Sequence, residues 1–231
     1  MSIRNDFCYA WRRLLKERGF TATTVLTLML GIGANLTVFL IFYGVIVRPL
    51  PFPDPQQLVR VQRFYPDGTL VPAYSGTKAL FFTRTSRVID SAAAYDYVPS
   101  NVNLAQGGVA VPLRSLGVTA NFFRVFRMQP ELGREFAAAD MAPNAAGVAV
   151  LSDASWRQRF AADPNIVGRV ITLGNEEYTV VGVASRRFEL DSPVDVWLPL
   201  RISEAPGDQS NDFNFVARLK AGVTMAQAED D

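Results

Sequence analysis

From Gly19 to Val47 the chain runs for twenty-nine residues without a charge, between Arg18 and Arg48. At ~1.5 Å of rise per residue this would be a helix of roughly 43 Å, and a hydrocarbon layer is crossed by about 20 apolar residues. A soluble core helix of that length needs a polar face, and the threonines, Asn35 and Tyr43 are too scattered to make one. A cleaved secretory signal has an apolar stretch of about 7 to 15 residues and ends in small residues, but this run ends in Ile46, Val47, Arg48 and Pro49. The stretch is therefore read as an uncleaved membrane span, residues 19–48. Arg4, Arg12, Arg13, Lys16 and Arg18 precede it against Asp6 and Glu17, a flank of net +3 in a chain of net +1. Basic residues stay on the cytoplasmic side, so the N-terminus is expected in the cytoplasm and the large remainder outside.

Composition removes several classes of function. Near-neutral charge leaves no electrostatic motive for binding nucleic acid. Histidine is absent, which excludes imidazole acid–base relays and imidazole metal ligands. The single cysteine, Cys8, precedes the span, so the outer part must be held by packing without a disulfide. Glu176-Glu177 and Asp230-Asp231 are adjacent pairs rather than carboxylates set across a cleft. Tyr74-Ser75-Gly76 lacks the flanking glycine of a nucleophile elbow, and Lys78, three residues after Ser75, reads as a solvated helix face. No catalytic residue, metal ligand or cofactor site is expected, and the chain is not expected to be an enzyme.

Along the chain, Ile3, Phe7, Ala10, Trp11, Leu14 and Leu15 form a helical apolar stripe beside Arg12, Arg13 and Lys16, so residues 1–18 are read as a cytoplasmic amphipathic helix in the headgroup region. Within the span Thr27, Gly31 and Asn35 recur every four residues. Small residues allow another helix to approach closely, and an amide in hydrocarbon needs a partner, so this row is the candidate helix-packing site. Pro49, Pro51, Pro53 and Pro55 then end the helix. A strand is expected over Leu58–Phe64, a helix over about Ser75–Arg87 and a strand near Ala92–Val98. From Asn101 strands become short and closely spaced: Val102–Leu104, Val109–Val118 after Gly107-Gly108, Val148–Leu151, and Arg169–Leu173 with Glu177–Val183 across Gly174-Asn175, a strong hairpin signal. Val194–Leu200 and Phe213–Leu219 follow as strands. Thr119, Ser152 and Thr224 are candidate helix caps, and Ala137–Gly147 reads as a loop.

These pieces together resemble the amino-terminal part of a MacB/FtsX-type ABC transporter permease, of the kind that carries a MacB-like periplasmic core domain. The resemblance rests on Gly19-Phe20-Thr21, Leu30-Gly31-Ile32-Gly33-Ala34-Asn35 and Arg48-Pro49-Leu50-Pro51-Phe52-Pro53-Asp54-Pro55. It continues outside the span in Val118-Thr119-Ala120-Asn121-Phe122-Phe123, Leu132-Gly133-Arg134, Asp163-Pro164, Val167-Gly168-Arg169, Asp195-Val196-Trp197-Leu198-Pro199 and Ala217-Arg218-Leu219-Lys220-Ala221-Gly222. Glu17-Arg18 departs from the Ser-Pro that often precedes Gly-Phe in the family. The resemblance implies an α+β chain: one transmembrane helix, then a mixed α/β, porter-like module at residues 56–100 and 201–231 with a β-rich insert at 101–200, incomplete at its C-terminal end. It also implies the bacterial inner membrane, a separate cytoplasmic ABC ATPase, and another permease half or a second permease copy as partners beside the lipid bilayer. A single-span anchored ligand-binding or sensory domain is the alternative.

Overall fold

The computed structural model describes residues 16–43, 51–65, 67–71, 73–188, 190, 192–202 and 212–229. The expected amphipathic helix at 1–18 lies almost wholly outside them. Two compact units are present, one ending at Leu50 and one beginning at Pro51.

The first unit is a single helix, α1 (Arg18–Phe42). Its threonines do not break the apolar surface. The hydroxyls of Thr21, Thr23, Thr27 and Thr37 each donate to the carbonyl four residues back, at 2.8–3.0 Å. Backbone groups and these hydroxyls are thus satisfied inside the helix, as a hydrocarbon environment requires. Leu30, Val38 and Phe39 project outward with well over half of their surface exposed.

The second unit is built on one mixed sheet. Strands β1 (Leu58–Val61), β2 (Arg63–Phe64), β3 (Leu70–Val71) and β4 (Ala73–Tyr74) lead into helix α2 (Gly76–Thr85) and strand β5 (Ile89–Asp96). Strands β6 (Ser100–Gln106) and β7 (Val109–Val118), helix α3 (Phe122–Phe126), β8 (Leu132–Gly133) and β9 (Val148–Leu151) follow. Then come helix α4 (Asp153–Phe160), β10 (Val170–Leu173), β11 (Glu176–Val183), β12 (Val196–Pro199), β13 (Phe213–Leu219) and helix α5 (Met225–Glu229). β13 lies between β1 and β5, antiparallel to both. The end of β5 then meets β7 at Tyr95↔Val118.

Beyond that joint the sheet closes on itself. β7 pairs parallel with β12, β12 antiparallel with β9, β9 parallel with β11, β11 antiparallel with β10, and β10 meets β6 at Leu173↔Leu104. β6 returns to β7 through seven residue pairs. The ring has six strands, all drawn from Ser100–Pro199. Closure leaves those strands without a free edge. Period-two alternation then separates two faces. Leu104, Leu113, Leu151, Ile171, Leu173, Val180 and Val196 form one core, joined by Trp156, Phe160 and Ile166.

The opposite face of the ring wall carries Leu116, Val148, Val150 and Trp197, which share a second core with Ala93 of β5, Val216 of β13 and the phenylalanines of α3. A third core, on the other side of β5 and β13, holds Ala92, Ala94, Phe215 and Ala217. There Phe82 of α2 meets Tyr74 and Phe215 at ring distances of 5.7 and 6.4 Å. Three consecutive alanines on β5 are buried because packed elements approach the strand from both sides.

Several local expectations change in the structure. Leu58–Phe64 is two strands rather than one, because β1 follows β13 whereas β2 turns away to pair with β3. The α2 helix is shorter than Ser75–Arg87. Ser75 is its cap, accepting the Lys78 N–H. Thr119 does not cap α3 with its side chain. Its hydroxyl is bound to the N–H and carbonyl of Ala94, where β5 separates from β7 and needs partners. Ser152 caps α4 through the Ser155 N–H at 3.1 Å, and Thr224 and Gln227 form a reciprocal box at the start of α5. The Gly174-Asn175 hairpin is present, with Ile171 opposite Tyr178. Val194–Leu200 contracts to β12, and the Ala137–Gly147 loop contains a 3-10 turn at Ala138–Met141.

That turn is held by Asp140. Its carboxylate accepts the Ala137 N–H at 2.7 Å and a two-pronged contact from Arg134 at 2.7 and 3.2 Å. The Arg134 hydrogen bond, then the Ala137 N–H, hold the Asp140 carboxyl below the usual range against the opposing effect of burial. A depressed carboxyl contributes stability above its unfolded value of about 3.9, and that contribution is lost as pH falls through the lower folded value. Asp140→Asn is expected to lose about 1 kcal/mol at pH 7 and to flatten the acid limb of a urea-unfolding series below pH 4. A second test lies at Gly133, at φ +73°, where an added Cβ would stand 2.2 Å from the Val181 carbonyl. Gly133→Ala should cost roughly 2 kcal/mol or more through strain and clash, read as a lower urea midpoint with unchanged slope.

Candidate functional site

The row Thr27, Gly31 and Asn35 lies along one side of α1, since residues four apart stack on a helix. The Thr27 hydroxyl is already used within the helix, by the Thr23 carbonyl at 2.9 Å. Gly31 and its neighbour Gly33 face open space, with nothing within 4 Å of where a Cβ would sit. Asn35 is exposed. The row therefore offers a shallow, small-residue strip flanked by large apolar side chains.

A second place concentrates unusual features, and sequence reasoning passed over it. From Pro51 the proline-rich chain is anchored on the external unit. Phe52 is buried, its ring tilted against those of Phe126 and Phe188 at centre distances of 4.8 and 5.8 Å. Two residues later Asp54 adopts the left-handed conformation, φ +47°. Its carboxylate is paired with Arg127, itself left-handed at φ +53°, at the C-terminus of α3. Non-glycine residues adopt that region seldom, so both partners of one ion pair are backbone exceptions.

Beneath this pair sits Arg218 of β13, fully buried. Its Nε donates to the Val125 carbonyl at 2.7 Å and its Nη1 to the Asp54 carbonyl at 3.1 Å. Nη2 has no hydrogen-bond partner among the described residues. Burial first, and then the nearby Arg127, pull the Arg218 guanidinium below its ordinary pKa, with Asp54 and Asp90 opposing. Arginine stays charged regardless. One side chain therefore ties strand β13, the end of α3 and the 3-10 turn Pro55–Gln57 together, and that turn uses the same Asp54 carbonyl through the Gln57 N–H. The signal available in the sequence was the alternation in Phe213–Leu219. It places Arg218 on the same face as Val216, which is a core face.

Two open grooves lie elsewhere on the external unit. One of about 550 Å³ is lined by Phe64, Tyr74, Phe81 and Phe82 with Arg63 and Lys78. Another of about 590 Å³ lies between the start of α4 and the segment before β12, lined by Asp153, Arg157, Arg186, Phe188, Asp195 and Trp197 among others. In the second, the Asp153 carboxylate is already held by Arg157 at 2.9 Å and Asp195 accepts the Arg114 N–H at 2.8 Å. Among the described residues no cluster of carboxylates and cysteine could hold a metal ion.

The comparison with known proteins agrees with this picture of an apolar helix followed by a folded external part. The model of the MacB-like periplasmic core domain matches residues 21–231. The macrolide export ATP-binding/permease protein MacB of Escherichia coli K12 is 27% identical over 95% of this chain and 35% of its own length. The Salmonella typhimurium protein of the same name is 31% identical over 57% of this chain and 21% of its own length. The chain thus spans about a third or less of these relatives. Among solved structures, the periplasmic region of MacB from Actinobacillus actinomycetemcomitans superposes with a TM-score of 0.59 at 14% identity, covering 81% of this chain and 85% of that one. A domain of a permease protein from Porphyromonas gingivalis gives 0.58 at 17% identity, covering 78% and 82%. Such identities establish the fold, and the matched family is a transporter permease domain rather than an enzyme class. Since one family model runs from within the membrane helix to the last residue, the chain belongs to the MacB-like periplasmic core domain family of MacB/FtsX-type ABC transporter permeases.

Proposed function

We propose that the chain is the leading membrane helix and external core of a permease subunit that carries ATP-driven movement from a separate cytoplasmic ABC ATPase across the inner membrane. The observation that supports this most directly is the match of one family model to both helix and external domain, residues 21–231. The basic flank before α1 supports a cytoplasmic N-terminus and an external part over residues 49–231. Within the external part, the six-stranded ring and the β1–β13–β5 sheet would act as two modules joined at Tyr95↔Val118. The test is co-purification of the full chain with the product of a neighbouring ATPase reading frame. Stoichiometric association is expected, and a chain that purifies alone from cells expressing that ATPase would point instead to a single-span anchored sensor.

The reading generates two further expectations. Phosphatase fused after Asp231 should be active and phosphatase fused before Met1 inactive, and the reverse pattern would invert the topology. The Thr27, Gly31, Asn35 row should face another membrane helix, from a later span or a second permease copy, with lipid covering the rest of α1. Gly31→Leu should lower the yield of assembled complex about tenfold, equivalent to ~1.4 kcal/mol, while membrane insertion is unchanged. Photo-crosslinkers at position 35 should capture protein, and capture of lipid alone in the assembled complex would sink the assignment.

A further inference from the structure

We propose that Arg218, with Phe52, Asp54 and Arg127, is the coupling that passes load from the membrane helix into the external sheet before the edge strand β1 is strained. This rests on the reading that the chain transmits movement. Chain continuity sets the problem. The first strand of the external unit, directly after the 3-10 turn Pro55–Gln57, is β1, an edge strand hydrogen-bonded on one side to β13. Tension arriving at the first residue of such a strand would strain its hydrogen bonds from one end, one after another, so an unprotected β1 would peel at low force.

The geometry places a clamp ahead of β1. Phe52 is set into the aromatic cluster, Asp54 is held by its carboxylate to Arg127, and its carbonyl is held by Arg218. Arg218 belongs to β13, the central strand flanked by β1 and β5. Its second bond, to the Val125 carbonyl, ties α3 to the same strand. Load entering at Pro51 therefore reaches three elements at once, strand β13, helix α3 and the core under Phe188, and bypasses β1. The composition of the clamp argues for this use over simple stability. A buried guanidinium held by neutral carbonyls is a costly way to fill a core, and the left-handed Asp54 and Arg127 add strain. An apolar side chain of similar volume would pack there, but it could not bind two carbonyls from separate segments. Arg218 is a positioning residue: it acts through the backbone of Asp54 and Val125.

The experiment is single-molecule pulling on the full chain in a lipid nanodisc, with Cys8 replaced by serine and handles on cysteines at Pro51 and at Val109, which is exposed in the ring. In the unaltered protein the segment 51–57 and β1 should yield together in one high-force event. In Arg218→Met the segment should detach first at about half that force, releasing about 25 Å for seven residues at ~3.6 Å each, before β1 peels separately. Asp54→Asn, which keeps a residue tolerant of the left-handed conformation, should show the same early step at intermediate force. In hydrogen exchange, the amides of Phe52, Asp54, Gln56 and Gln57 in Arg218→Met should exchange about tenfold faster, while 148–151 and 180–183 are unchanged. Detachment of 51–57 at the unaltered force in both variants overturns the proposal, as does a separate low-force step already present in the unaltered chain. If Arg218→Met fails to fold, Asp54→Asn and Arg127→Asn decide alone, and unchanged force in both overturns it. Failure of ATPase association would remove the transmission reading and leave these forces as they are, so the two ideas fail separately.

Discussion

The external unit depends on one apolar cluster. Phe122, Phe123 and Phe126 of α3, Phe188, and Trp197 of β12 lie with ring centres 5.2–5.9 Å apart, several in edge-to-face arrangement. Aromatic pairs in such geometry add to the burial of large apolar area. What distinguishes this cluster is its position. It fills the space between the outer wall of the strand ring, one face of the β5–β13 sheet and the segment that follows the membrane helix. Removing it would leave three pieces joined only by polar ties, the hydrogen bonds around Tyr95, Asp96, Gly117 and Thr119 and the contacts of Asp54 with Arg127 and Arg218.

Polar groups around that cluster are placed by the same geometry. Where β5 and β7 diverge, the backbone loses its ladder partners. Thr119 supplies a hydroxyl to Ala94, and Asp96 accepts the Gly117 N–H at 2.7 Å. Burial pushes the Asp96 carboxyl up, the Gly117 N–H partly offsets it, and Asp212 adds to the rise. Gly117 must lack a side chain there, because a Cβ would stand 2.5 Å from that carboxylate. Asn214 ties the same corner together, donating to the carbonyls of Asp96 and Tyr97. The joint between the ring and the flanking sheet is thus hydrogen-bonded as well as packed.

Membrane helix and external domain obey different rules about polar groups. In α1 the hydroxyls of Thr23, Thr27 and Thr37 turn back to their own helix, and most of the outward surface is left apolar. In the external unit polar groups bond across the chain, over separations of up to 164 residues in the Arg218–Asp54 contact. Local satisfaction suits a segment whose surroundings offer no hydrogen bonds. Long-range satisfaction suits a sheet whose strands come from distant parts of the sequence.

The sequence by itself determined whatever is encoded in a short window. The uncharged run Gly19–Val47, the prolines after it, the Gly174-Asn175 turn, the Ser152 cap and the alternation in Phe213–Leu219 each specify local geometry through sterics or period, and the structure contains the elements they imply within its described residues. Motifs spread along the whole chain also carried the family. Tertiary structure alone decided which strands pair. The parallel pairs β7–β12 and β9–β11 and the closure of β6 on β10 join residues tens of positions apart, and no local pattern distinguishes one partner from another. It also decided that Thr119 serves β5 instead of capping α3, and that Arg218 is a buried tie. A hydroxyl or a guanidinium has many possible partners, and which carbonyl it meets is settled only when distant segments have packed.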